Sequence, residues 1–177
     1  MCWGGVESKC SLNSLKFGGF EMKIIDVYGI GSCGKSSTLL IFRSLPGFST
    51  VKEYHSVGCS YDVVGLYKYS DDSKEYVFVV STCGDSIEGQ NAAFDLYEES
   101  KGECKVDAII VAGRTRGAIG GNLHEHSKKL CFPLYFYSKG YIHYDSSELK
   151  LSKSQMDALY KSMNEREALN ILELAIY

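Results

Sequence analysis

The sequence predicts a single α/β domain built on a mostly parallel sheet, and three observations point to it. Short apolar runs of strand type alternate with segments of helical spacing. A glycine-rich loop joins the first such run to the first helical segment, and no internal repeat or low-complexity linker divides the chain. The length of 177 residues suits one domain, which at this size buries roughly 70% of the surface its unfolded chain exposes. Hydrophobic residues at 45% and charged residues at 23% are ordinary globular values, which exclude a disordered or fibrous class. A net charge of -3 leaves no electrostatic footprint for non-specific binding to nucleic acid or an anionic membrane. No stretch approaches the roughly eighteen uninterrupted apolar residues of a membrane span.

Residues 1–21 carry little periodicity and lack the basic start and apolar run of a signal peptide. They are expected to be a non-native or flexible extension, with Met22 as the native start and 22–177 as the folded domain. Gly18-Gly19 would be encoded where a bacterial ribosome-binding sequence sits; a flexible arm that docks on a partner is the other reading. Lys23 to Tyr28 reads as a short apolar strand, and Thr38, Leu39, Leu40, Phe42 and Leu45 keep helical spacing until Pro46-Gly47 stops the helix. Residues 48–60 read as a connecting loop. Tyr61–Tyr69 and Glu75–Thr82, rich in Tyr, Val and Phe around the turn-forming Ser70-Asp71-Asp72-Ser73, predict an antiparallel hairpin.

Ile87–Lys101 presents Ala92, Ala93, Leu96 and Tyr97 on one helical face, and Val106–Ala112 is a continuous apolar run of buried-strand type. Leu123–Leu130 then reads as a helix, Cys131–Tyr137 as a strand and Tyr141–Tyr144 as a further edge strand. The tail offers two capping-box patterns, Ser152 with Gln155 and Asn164 with Glu167. Its apolar phase shifts from Met156, Leu159, Tyr160 and Met163 to Leu169, Leu172 and Ile176, which predicts two short helices.

The chemistry concentrates in Gly29-Ile30-Gly31-Ser32-Cys33-Gly34-Lys35-Ser36, which satisfies GxxxxGK[ST] between a strand and a helix. Glycines let the backbone wrap an anion. Successive N–H groups and the positive end of the following helix then point at a β-phosphate. Lys35 is expected to reach the β- and γ-oxygens and the Ser36 hydroxyl to ligate Mg²⁺, while Gly31 and the small Ser32 keep side chains off the phosphates. Gly29, Gly31, Ser32, Cys33, Gly34, Lys35, Ser36 and Ser37 are the expected nucleotide-binding residues. A glycine-rich turn that binds nothing would show the same composition. Cys33, inside the loop, is a small filler or a thiol whose pKa the helix terminus lowers, making binding oxidation-sensitive.

The stretch KIIDVYGIGSCGKSST resembles the Walker A segment of P-loop NTPases. That resemblance implies a three-layer P-loop NTPase fold with a mostly parallel sheet and one antiparallel hairpin strand, a nucleotide with Mg²⁺, and transfer or hydrolysis of a γ-phosphate. The segments VVSTCGDS and DAIIVAGRTRG are similar to those of small, uncharacterised ATP-binding P-loop proteins.

Ligands of open α/β sheets meet the carboxyl ends of the strands, which directs attention to two further segments. Val77–Asp85 is an apolar run leading into an aspartate, similar to a Walker B arrangement in which Asp85 holds Mg²⁺ through water. Asp85 sits three residues beyond the apolar run, so an N-cap for the helix near Ile87 is its other reading; Glu88 either orients a water or serves that cap. The strand at Asp107–Ala112 ends in Arg114 and Arg116 bracketed by glycines, guanidinium groups suited to charge on a transferring phosphoryl group or to solvation in a loop. Lys35, Asp85, Arg114 and Arg116 are the expected catalytic set, with Ser36 and Asp85 as metal ligands. His124-Glu125-His126 lacks further ligands at zinc spacing and reads as a solvated helix face. Lys52-Glu53-Tyr54-His55 occupies, by position alone, the region that contacts an acceptor in nucleotide kinases or switches in GTPases.

These features predict a nucleoside triphosphatase that hydrolyses Mg·ATP slowly and couples the bound state to a protein partner or a second copy. A small-molecule or nucleotide kinase and a non-catalytic nucleotide sensor are the alternatives. The predicted hairpin is similar to the GTPase-like branch, yet ATP is preferred to GTP because the expected strand end reads Ala112-Gly113-Arg114-Thr115 and not NKxD. Seven cysteines without a CxxC pair predict reduced thiols and a cytoplasmic setting.

Overall fold

Strand β1 (Lys23–Gly29) is buried at every position but Tyr28, as an apolar run flanked by strands on both sides must be. The computed structural model describes residues 22–31, 33–55, 62–83, 86–114, 118–140 and 151–177, with side chains omitted for 118–120. The expected extension at 1–21 and the edge strand at Tyr141–Tyr144 lie outside the described residues. Along the described chain β1 is followed by α1 (Lys35–Phe42), β2 (Phe48–His55), β3 (Val63–Ser70), β4 (Glu75–Ser81), α2 (Ile87–Ser100), β5 (Ala108–Arg114), α3 (Ala118–Leu130), β6 (Leu134–Ser138) and α4 (Lys153–Ile176).

The strands form one six-stranded sheet in the order β2-β3-β4-β5-β1-β6. β1 pairs in parallel with β5 and β6, and β4 in parallel with β5. β3 runs antiparallel to both β2 and β4, so the predicted hairpin is present and β3 is the one reversed strand. The turn at its tip is built by Asp71, whose Oδ1 accepts from the N–H groups of Ser73 and Lys74 at 2.8 Å each.

Helices cover both faces. Ile25 and Val27 of β1 share a buried cluster with Leu39 and Phe42 of α1 and Ala168, Ile171, Leu172 and Ala175 of α4. Ile24, one residue out of phase, belongs to a second cluster with Ala93, Phe94 and Leu96 of α2 and Leu123 of α3. This is the alternation expected of a strand sandwiched between two helical layers. The α/β class with a mostly parallel sheet is therefore present.

Two expectations are corrected. Residues 48–55 are not loop but strand β2, paired with β3 through a register shift between Thr50 and Lys52. Its side chains are half-buried or exposed throughout, so no buried apolar run marks the segment; its strand character comes from the ladder with β3 and from Phe48, which packs against the core. The tail is one 24-residue helix and not two. Ser152 and Gln155 do form the first capping box, but Asn164 sits mid-helix, where its side chain is engaged tertiarily as described below. The shift in apolar phase marks a change of surroundings: Met156, Leu159 and Met163 are only half-buried, whereas Ala168, Ile171, Leu172 and Ala175 pack on the sheet.

Candidate functional site

The loop leaving β1 is shaped by two glycines for different reasons. Gly34 has φ +86°, a left-handed conformation that side chains rarely adopt, and it forms the N-cap of α1. Gly29 sits at a close approach, where a Cβ would stand 2.7 Å from Cys33 Sγ and 3.3 Å from the Lys139 carbonyl oxygen. No side chain caps α1 and no acidic residue lies in its first turn. The amides of that turn and the positive end of the helix are thus directed into the loop, an arrangement suited to an anion.

Lys35 is buried, and its ammonium donates to the carbonyls of Gly29 at 3.2 Å and Ile30 at 3.0 Å, 3.8 Å from Cys33 Sγ. The charge therefore sits inside the loop on groups that an anionic ligand can replace. Cys33 is itself buried against Gly29 and Lys35. Gly31 is exposed with open space around it, and Ser37 is exposed on α1. Ser32 lies outside the described residues.

Ser36 joins the loop to the carboxyl end of β4, donating its Oγ hydrogen to the Thr82 carbonyl at 3.0 Å. With the hydrogen committed, the hydroxyl lone pairs remain for a cation. Asp85, three residues past Thr82, lies outside the described residues. The N-cap reading of Asp85 is corrected, since Ser86 caps α2 by accepting from the Gly89 N–H at 2.9 Å. Glu88 stands exposed in the first turn of α2, where it complements the helix dipole. Arg114 ends β5 directly opposite Gly29 and is exposed, at the mouth of the loop. Arg116 lies outside the described residues.

A second lysine approaches from behind. Lys139, at the end of β6, is buried and donates to Thr38 Oγ1 at 2.9 Å, Asn164 Oδ1 at 2.8 Å and Glu167 Oε2. Its Cε and Asn164 Oδ1 each lie 3.3 Å from where a Cβ on Gly34 would be. This polar cluster ties α4 to α1 directly beneath the loop. Sequence reasoning missed it, because its members are separated by 101 and 25 residues and the one pattern among them, Asn164 with Glu167, reads as a helix cap. It also missed Asp26, a buried carboxylate in the middle of β1 whose one sequence signal is a charge inside the apolar run KIIDVYG. Burial pushes the Asp26 carboxyl up to about 7, against the pull of the nearby Lys35 ammonium.

The other candidates are dispersed. His126 stacks on Phe94 at 3.7 Å and lies 3.0 Å from Asn91 Oδ1, while His124 approaches the Phe136 ring. Burial and Lys129 hold the His126 pKa below its usual value. Among the described residues no three His, Cys, Asp or Glu converge as a metal centre. Lys52-Glu53-Tyr54-His55 lies on β2, where Glu53 binds Arg43 at 2.5 Å and accepts from the Tyr67 hydroxyl at 2.6 Å. A cavity of about 580 Å³ opens between the end of β2 and the start of α2, lined by Tyr54, His55, Asp62, Cys83, Ser86 and Glu88 among others. Cys83 places its wall one residue from the Thr82 carbonyl that receives Ser36.

Compared with protein-family models, with curated proteins and with solved structures, the chain finds no match. No described helix is long and apolar enough to cross a membrane.

Proposed function

We propose that the chain binds a magnesium nucleoside triphosphate in the Gly29–Ser36 loop, ATP in preference to GTP, and hydrolyses it slowly, with the bound state transmitted to a partner. One observation carries this reading: a left-handed Gly34 turns the chain into an uncapped helix whose first residue, Lys35, keeps a buried ammonium inside the same turn. Ser36 would supply one oxygen to Mg²⁺, with phosphate oxygens, water and Asp85 completing the shell. Arg114, opposite Gly29, supports stabilisation of charge on the terminal phosphate, a role Arg116 would share.

The cavity at the end of β2 favours a second reading, transfer of the γ-phosphate to a small acceptor. It shares an edge of the sheet with the loop, and its volume is that of a small-molecule site. Titration of labelled ATP and GTP with and without Mg²⁺ tests the binding step. Lys35→Ala should cost at least about 2 kcal/mol of affinity, the scale of a lost hydrogen-bonded charge, and retained binding in that variant would overturn the placement. Phosphate release without acceptor marks a hydrolase, acceptor-dependent ADP a kinase, and binding without turnover a sensor.

A further inference from the structure

The middle of β1 holds a group that strand formation does not need. Asp26 is 3% exposed, and its Oδ1 is buried without a hydrogen-bond partner. Across the sheet it pairs with Val111 and Phe136, and it shares the face of Ile24, Val111 and Leu123. An ionised carboxylate is costly in such surroundings, and an apolar residue would serve the fold better.

The carboxylate is nonetheless accommodated and aimed. A Cβ on Gly113 would come 1.9 Å from Asp26 Oδ1 and 2.7 Å from its Cγ, so the absent side chain at Gly113 is the room that Asp26 occupies. Gly113 pairs with Tyr28, two residues beyond Asp26 along β1. Asp26 therefore leans toward the carboxyl edge of the sheet, where the phosphate loop begins.

Lys139, the buried charge at the end of neighbouring β6, is held by Glu167. α2 contributes the neutral Gln90, while α3 contributes Asn122 and a His126 stacked on Phe94. Among the described residues, the Lys35 ammonium draws the Asp26 carboxyl back toward its ionised form.

We propose that Asp26, once ionised, is the internal counter-charge of Lys35 while the loop is empty, and that it takes up a proton when a polyphosphate claims Lys35. The second half rests on the nucleotide-binding reading. Once phosphate oxygens neutralise Lys35, Asp26 loses its stabilising cation and gains anionic neighbours, and both changes favour the acid form. The carboxylate then accepts one proton from solvent, and no other bond is made or broken. Because the bound state holds more protons, affinity must fall as pH rises above the free-state titration near 7.

The test uses the full chain. Calorimetry of Mg·ATP binding at about pH 8, where the terminal phosphate is already ionised, is run in buffers of different ionisation enthalpy. The wild type should take up more than half a proton per site and Asp26→Asn none, with the variant binding about tenfold more tightly at that pH. Equal proton counts in the two proteins overturn the proposal. A second measurement needs no nucleotide: carboxyl-carbon NMR should place the Asp26 titration near neutrality, and Lys35→Met should raise it. A midpoint that ignores Lys35→Met removes the ion-pair half, and one in the ordinary carboxylate range removes the desolvated site on which proton uptake depends. If no nucleotide binds, the functional reading and the proton-uptake half fall together, while the NMR result still decides the pairing.

Discussion

At Gly34 and Asp26 local physics sets what each residue permits. Gly34→Ala forces a Cβ onto a left-handed φ of +86° and toward Asn164 and Lys139, a strain of roughly 1–2 kcal/mol. Chemical denaturation should report that loss, together with weakened nucleotide binding. Asp26 makes stability depend on pH in a definite direction. Its carboxyl titrates at about 7 in the fold against 3.8 in the unfolded chain, so between those values the native state holds a proton that the unfolded state has released. Stability therefore falls as pH rises through that window and levels off above it, by up to about 4 kcal/mol. Urea unfolding of wild type and Asp26→Asn at both ends of the window should show the variant gaining on the wild type toward high pH. A constant difference would mean that Asp26 ionises as freely in the fold as out of it. Of these residues, Gly34 and Lys35 were legible in the sequence because their constraint is local. Asp26 was not singled out, since the space that admits it is supplied by Gly113 on another strand.

Among the elements, α4 carries the most structure that its own sequence does not reveal. Its C-terminal half is an apolar face on the sheet, and its midpoint is a polar anchor in which Asn164 and Glu167 receive the Lys139 ammonium. Glu167→Ala leaves that ammonium buried with only Thr38 and Asn164 and should cost about 3 kcal/mol. Glu167→Gln, which keeps an acceptor, should cost less, and thermal or urea unfolding distinguishes the two. Since the same lysine lies against Gly34, the loss should also loosen the loop and weaken ATP binding. β2 is the converse case: FSTVKEYH has neither a continuous apolar run nor a clean alternation, yet pairing to β3 from Phe48 to His55 makes it the sheet's edge.

Across the whole molecule, the sheet order sets what can meet at the loop. β5 lies between β1 and β4, so the carboxyl end of β4 reaches the loop through α1, by the Ser36–Thr82 hydrogen bond, and not as the neighbour of β1. A ligand bound at this junction holds β1, α1 and β4 together and stabilises the fold by mass action. Mg·ATP at a hundred times its Kd should add about 2.7 kcal/mol and raise Tm by roughly 5–10 °C in a domain of this size. The shift should vanish in Lys35→Ala and shrink when EDTA removes the metal.

By itself the sequence determined the alternation of strands and helices, the hairpin at Asp71 and the loop from Gly29 to Ser36, because each is written in contiguous residues whose spacing, turn chemistry and backbone freedom act over a few positions. Tertiary structure alone decided that residues 48–55 form a strand, that the tail is one helix, that Ser36 meets Thr82 and that Gly113 makes room for Asp26. Those outcomes depend on partners 46 residues away for Ser36 and on a neighbouring strand for Asp26. Ladder hydrogen bonds and side-chain clearances of that kind come into being only when the sheet assembles.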